Sequence, residues 1–170
     1  MKIIEAMKRV KENKEKISDL QKKIAANTAF LSYETPPYPD TRAKIQEWTQ
    51  AAHDIVLDNV SLLVRISKTN IATPVTIKLC DKNITKSMAE WIWRRREYAE
   101  IDLQTWQQHN DRGLREGKVQ STPGGEPTEI KIVRFYDPVQ RDAHMAIYKS
   151  EPHLIDAALE VVNAVTDLLD

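Results

Sequence analysis

Aromatic rings and guanidinium groups lie side by side in the segment Trp91–Tyr98, whose sequence is Trp-Ile-Trp-Arg-Arg-Arg-Glu-Tyr. Rings can stack on a nucleobase and arginines offer forked donors to phosphate, so this composition is typical of nucleotide binding. Arg95 has no acid three or four residues away, which predicts that it points toward the core or a subunit interface. We therefore expect Trp91 and Arg95 to contact a ligand. The alternative is a structural ion pair between Arg95 and Asp102 of a neighbouring chain.

A second candidate anion site follows a predicted strand and opens a predicted helix. Its members are Arg134, Tyr136, Arg141 and His144, and the last two are three residues apart on one helical face. A helix beginning at Pro138 adds free amides and a partial positive charge. The alternative is an ordinary surface turn, because Asp137 already caps that helix.

Catalytic chemistry has weaker support in this sequence. No paired-cysteine or H-E-x-x-H spacing involves the four histidines, which are His53, His109, His144 and His153. The acids at positions 97, 100 and 102 invite comparison with helical nucleotide pyrophosphatases, which hold magnesium on paired acidic helices. A second acidic pair is missing. The sequence therefore predicts no catalytic residue, no metal and no cofactor.

Composition gives no overall charge signal for nucleic acid or membrane, although a local basic patch stays open. In 170 residues, Lys plus Arg number 25 and so do Asp plus Glu, which leaves no bulk charge for nucleic acid or an anionic membrane. No apolar run approaches the roughly 18 residues that a membrane span needs. The single cysteine, Cys80, excludes an intrachain disulfide and favours a reducing compartment. We expect a soluble cytoplasmic protein in which this thiol is buried.

The elements that must position these residues begin with two heptad stripes. In the first, isoleucine or valine recurs every seven residues from Ile3 to Ile24, and the second runs from Ile45 to Thr69. Folding the chain at Pro36 sets every a position against a d position, as an antiparallel coiled-coil hairpin requires. Asn13 then meets Asn59, and this polar pair fixes the register because a slip would bury each amide against hydrocarbon.

The remaining pattern predicts a mainly α fold. Two or three further helices pack on the hairpin, together with a small two-stranded β element. The predicted strands are 73–80 and 129–136, paired with each other, and a helix from Thr85 or Ser87 to about Leu114 lies between them. Residues 118–128 form a lid-like loop. The C-terminal helix starts at Asp137–Pro138, kinks or restarts at Pro152, and continues into heptad-spaced apolar residues.

This order of elements resembles a family of small helical proteins that carries the label septicolysin-like. The resemblance rests on the N-terminal heptads, on the stretch 65–73 that closes the second helix, and on the helix entry at Ile84–Thr85. It covers most of the chain, which departs from the family with extra sequence around 107–128. What the resemblance implies is a helical fold and self-association more than an activity.

Taken together, the sequence predicts one domain over residues 1–170. It consists of a hairpin over 1–71, a strand-helix-loop-strand segment over 72–136, and C-terminal helices over 137–170. The leading hypothesis is a non-enzymatic homo-oligomer that holds a small anionic, nucleotide-like ligand at subunit junctions, as a sensor or sponge. A second hypothesis is an assembly scaffold without a ligand, with Asn13, Asn59 and Asp102 fixing register and oligomer. A third is a magnesium-dependent nucleotide hydrolase.

Overall fold

A computed structural model describes residues 1–119 and 123–170. It confirms a mainly α fold with a small β element. The elements in chain order are α1 (Ile3–Asn27), α2 (Thr41–Ala72), β1 (Pro74–Leu79), β2 (Lys82–Ser87), α3 (Met88–Trp93), a π-helical turn (Arg94–Tyr98), α4 (Ala99–Gln107), β3 (Gly117–Val119), β4 (Thr128–Ile130) and α5 (Pro138–Val165).

Helices α1 and α2 form the predicted hairpin. The Asn13 amide donates to Asn59 Oδ1 over 2.9 Å, and both side chains are buried. Since each amide would lose its partner after a slip, this pair holds the predicted register. The buried residues of the two helices all lie on the predicted stripes: Ile3, Ala6, Val10, Asn13, Trp48, Asn59, Leu62, Ile66 and Thr69.

The connection between the hairpin helices comprises residues 28–40. Helix α1 ends at Asn27, and Thr28 Oγ1 donates to the carbonyl of Ile24 over 2.6 Å at that end. Asp40 caps α2, because its Oδ1 accepts from the Ala43 amide over 2.9 Å.

The β element differs from the prediction. Strand β1 pairs with β2, not with residues 129–136, through a two-residue loop at Cys80 and Asp81. Both loop residues have positive φ angles, 48° and 61°, which match the right-handed strand twist in a tight hairpin. The strand therefore occupies the predicted helix entry at Thr85 and Ser87, and α3 begins at Met88. Cys80 is exposed in this loop, so the expectation of a buried thiol is wrong.

A second small hairpin, β3–β4, lies farther along the chain. Gly117 pairs with Ile130 and Val119 with Thr128 in antiparallel register. The predicted strand over 129–136 thus contributes only its first two residues, and the long helix expected to reach Leu114 ends at Gln107. Residues 120–122, part of the predicted lid-like loop, lie outside the described residues.

Helix α5 continues through Pro152 without restarting. The residues that follow it return to the hairpin: the Ile3 amide donates to the carbonyl of Thr166, and the Leu168 amide donates to the carbonyl of Met1. The Leu169 amide adds a bond to Thr69 Oγ1 over 2.9 Å. The C-terminal residues therefore complete the hairpin's end as backbone partners.

The chain divides into two compact units. The hairpin unit comprises Met1–Val75, Ser87–Ala89 and Leu159–Asp170, and the mixed unit comprises Thr76–Lys86 and Glu90–Ala158. The expectation of one domain over 1–170 stays a prediction. Within residues 1–119 and 123–170, no helix has both the length and the apolar character needed to cross a membrane.

Candidate functional site

In the mixed unit, Arg94 is the centre of a charged cluster. Its Nε and Nη2 donate to the two carboxylate oxygens of Glu151 over 2.6 and 2.8 Å, and its Nη1 donates to Asp102. The Glu151 side chain is only 3% exposed. Hydrogen bonding to Glu151 raises the pKa of Arg94 above its ordinary value, and the bond to Asp102 adds to this. Arg94 therefore serves as the counter-ion of a buried carboxylate.

The π-helical turn explains why Arg94, and not Arg95, takes this place. The Ala99 amide bonds to the carbonyl of Arg94, five residues back, which inserts an extra residue into the turn. An i,i+7 relation between Arg95 and Asp102 is thereby replaced by the i,i+8 pair of Arg94 and Asp102. Arg95 instead meets Asp156 over 2.8 Å with a side chain 39% exposed. Within the chain Asp102 meets Arg94, and the pairing of Arg95 with Asp102 of a neighbouring chain stays a prediction.

The two tryptophans of this segment exchange their expected roles. Trp91, predicted to stack on a ligand, is 1% exposed and lies in the core, with the Lys86 ammonium 5.7 Å from its ring centre. Trp93 is 57% exposed. Only Trp93 therefore has a free face for an aromatic ligand.

Trp93 borders an open cavity of about 500 Å³. The lining side chains are Lys86, Glu90, Trp93, Arg94 and Tyr98. Tyr98 is 52% exposed, so two rings and charged groups of both signs surround the space. This combination suits a small planar ligand with a polar substituent.

The second predicted cluster does assemble, around a carboxylate that the sequence reasoning missed. Arg134 donates to both oxygens of Asp111 over 2.8 and 2.6 Å, and the Tyr136 hydroxyl donates to Asp111 Oδ1 over 2.8 Å. The hydrogen bond from Arg134, followed by that from Tyr136, lowers the pKa of Asp111 to about 2. The positive charge expected to grip an anion is thus already matched by Asp111.

Arg141 and His144 join this cluster from the first turns of α5. Arg141 donates to the carbonyl of His109 over 3.1 Å and to Asp142 over 2.8 Å. His144 stacks on Trp106 with ring centres 4.1 Å apart. The His109 ring also lies against Trp106, with ring centres 4.9 Å apart. The stacked rings of Trp106 and His144 form a contact between α4 and α5. The face of the His144 ring that packs on Trp106 is therefore closed to a ligand.

Every arginine singled out from the sequence therefore has a carboxylate partner within its own chain. The partners are Asp156, Asp111 and Asp142, for Arg95, Arg134 and Arg141 respectively. Local sequence gave no signal for Asp111 or Glu151, because they lie 23 and 57 residues from the arginines they meet. In the described part of the chain, no three His, Cys, Asp or Glu side chains are grouped as a metal site would need.

The hairpin unit carries a different feature, an apolar surface on one side of the seam. We define the apolar flank as the α2 and α1 residues that are each 43–55% exposed and share that side: Val56, Leu57, Val60, Leu63 and Val64 with Ile4 and Met7. With the seam at heptad positions a and d, the α2 members occupy e, b and f, which are neighbours around the helix. Exposed apolar surfaces of this kind are a common feature of protein interaction sites.

The opposite side of the seam is polar and already covered. Arg9 and Asp58, both at position g, form an ion pair of 3.0 Å. On the same side, Lys2 meets Asp167 over 2.8 Å and Arg65 meets Asp170 over 2.6 Å. In this antiparallel pair, heptad position g of α1 lies next to position g of α2. On the other side of the seam, position e of α1 therefore lies next to position e of α2, which places Met7 beside the α2 part of the flank.

No protein-family model and no curated protein matches this sequence. Among solved structures, the chain is similar to the crystal structure of a functionally unknown conserved protein from Corynebacterium diphtheriae, with 16% identity and a TM-score of 0.60. The match covers 99% of each chain. This likeness establishes a shared fold over the whole length, from the hairpin to the C-terminal helix.

Proposed function

We propose that this protein is a non-enzymatic, self-associating scaffold in which the helical hairpin packs against a second copy. The observation that supports the proposal is the apolar flank: seven half-exposed apolar side chains on one side of a helical pair. Such a surface costs solvation free energy in a monomer, at about 25 cal/mol for each Å² that a partner could cover.

The charges of the mixed unit favour the same function over an anion-binding one. The guanidinium groups of Arg94 and Arg134 each hold a carboxylate through two hydrogen bonds. A phosphate would have to displace those carboxylates, one of them the buried Glu151. In this proposal the ion pairs stabilise the fold of the mixed unit and do not bind a ligand. A cytoplasmic location fits this proposal, since a reducing compartment protects the exposed thiol of Cys80.

Self-association is tested by sedimentation equilibrium and native mass spectrometry on the purified chain. We expect a discrete oligomer that Leu63→Glu dissociates, because the variant places a charge in the centre of the flank. Ser61→Glu is the matched control, with the same charge change at an exposed position of the same helix, and it should stay assembled. A wild-type monomer at tens of micromolar would refute the proposal.

A second function rests on a separate observation, the cavity between Trp93 and Tyr98. We propose it as the site of the nucleotide-like ligand expected from the sequence, located within one chain and away from Arg134 and Arg141. ADP serves as the probe, and its binding is measured by calorimetry. Loss of one stacking ring costs about 1–3 kcal/mol, so Trp93→Ala should weaken binding by roughly 5- to 160-fold. Tyr33→Ala, at another exposed ring, should leave affinity unchanged, and equal losses in both variants would remove this function.

A further inference from the structure

We infer that two copies of this chain pair through antiparallel α2 helices, related by a two-fold axis that passes beside Val60. The inference rests on the proposed self-association and specifies its partner, its surface and its direction. It comes from the order of side chains along the apolar flank, which is the same in both directions from Val60.

The α2 part of the flank is palindromic. Val56 and Val64 lie four residues to either side of Val60, and Leu57 and Leu63 lie three residues to either side. In an antiparallel pair centred on Val60, each residue lies opposite the residue of the other copy whose number, added to its own, gives 120. Valine then meets valine and leucine meets leucine, with Val60 against its own copy. This self-complementarity is what an isologous two-fold interface requires.

The borders of the palindrome support the same axis. His53 would face Ser67, so a polar residue closes each end of the apolar stretch. Asp54 would lie level with Ile66, which is itself buried in the seam, and thus two residues or about 3 Å along the helix from Lys68. Each copy therefore places the Asp54 carboxylate near Lys68 of the other copy, whose ammonium also donates to the carbonyl of Asp170 over 3.3 Å. A parallel pair would instead stack Asp54 on Asp54, which is unfavourable.

The rest of the hairpin leaves this side as the open one. Position g is occupied by the ion pair of Arg9 and Asp58 and by the C-terminal residues, through the bonds of Arg65 to Leu169 and Asp170. Between positions 55 and 64 the single charged residue is Asp58, which Asn13 and Arg9 already engage. A second copy on the flank therefore buries no unpaired charge from this stretch.

Disulfide trapping tests the arrangement, in full-length chains that carry Cys80→Ser to remove the native thiol. Val60→Cys lies beside the axis and should give a covalent dimer under mild oxidation. Val56→Cys alone should not, because the two copies of that position are about 12 Å apart along the helix, beyond the roughly 7 Å that a disulfide spans. A refolded mixture of Val56→Cys and Val64→Cys should cross-link. Glu15→Cys, exposed on α1, measures random collision.

Each result decides between distinct arrangements. Cross-linking by Val60→Cys and by the mixture, but not by the other single variants, is the expected outcome. Efficient cross-linking by Val56→Cys alone means a parallel pair and overturns the inference. An assembled wild-type protein in which Val60→Cys cross-links no better than Glu15→Cys overturns the axis but leaves the proposed scaffold standing. A monomeric wild type refutes both.

Discussion

Removing the Arg94 side chain should destabilise the mixed unit more than removing any of its arginine neighbours. Glu151 is buried with 3% of its side chain exposed, and Arg94 supplies the two hydrogen bonds to its carboxylate. Taking away one partner of a buried pair leaves an uncompensated charge and costs about 3–5 kcal/mol. The Arg94 side chain is itself 21% exposed, so water can partly replace it and the lower end of that range applies. We expect Arg94→Met to cost about 3 kcal/mol.

The assay is urea unfolding followed by tryptophan fluorescence. Three of the four tryptophans, Trp91, Trp93 and Trp106, belong to the mixed unit, so the signal reports mainly on that unit. In a chain of this size a loss of about 3 kcal/mol lowers the melting temperature by roughly 6–12 °C. The unfolding midpoint should fall while the slope of free energy against urea stays constant.

Two controls and one double variant make the result interpretable. Arg96→Met, at an exposed position of the same turn, should change stability by less than about 0.5 kcal/mol. Arg95→Met loses only its surface pair with Asp156 and should cost about 1 kcal/mol or less. Arg94→Met combined with Glu151→Met should recover most of the loss, because no charge then remains buried. Equal effects of Arg94→Met and Arg95→Met, or additive losses in the double variant, would refute the reasoning.

Further predictions concern the hairpin, the Asp111 cluster and a turn. Asn13→Leu leaves the buried Asn59 amide without its partner and should lower the free energy of unfolding in urea by about 1–3 kcal/mol. Adding Asn59→Leu should recover most of this loss. A double variant whose loss equals the sum of the two single losses would contradict the prediction. The pKa of Asp111 is lowered to about 2, so its contribution to stability is complete above its unfolded pKa and is lost as the pH falls through about 2. A carbon-detected NMR titration of Asp111 should show this midpoint. Arg134→Met should move the midpoint toward the ordinary value of 3.8. Gly113 has a φ of +72° with open space around it, so Gly113→Ala should cost about 1 kcal/mol from backbone strain alone, and an unchanged melting temperature would disprove this.

The hairpin could be predicted from the sequence because its information is periodic. A heptad repeat fixes which side chains meet once the direction of the second helix is known, and the Asn13–Asn59 layer leaves one register. The prediction fails where periodicity is broken. The extra residue of the π-helical turn shifts every later position of that helix, which moved the buried pair from Arg95 to Arg94.

Two other features could not be predicted for different reasons. The loop of the β1–β2 hairpin places Cys80 and Asp81 at positive φ without the Asn-Gly or Asp-Gly pair that usually signals such a turn. The candidate sites depend on Glu151 and Asp111, which reach their arginines through the tertiary fold and have no local spacing to reveal them. The aromatic and arginine composition indicated the two segments in which these clusters lie, and ligand binding there stays a prediction.

The pairing of residue 2 with residue 167 bears on how the protein is made. Lys2 and Asp167 form a bridge between backbone segments 165 residues apart. At a translation rate of about 5–20 residues per second, their synthesis is separated by roughly 8–33 s. During that interval the hairpin can form before the C-terminal residues are made. Those residues cover the side opposite the apolar flank, so the flank does not depend on them. We therefore expect the proposed self-association to be able to begin during translation.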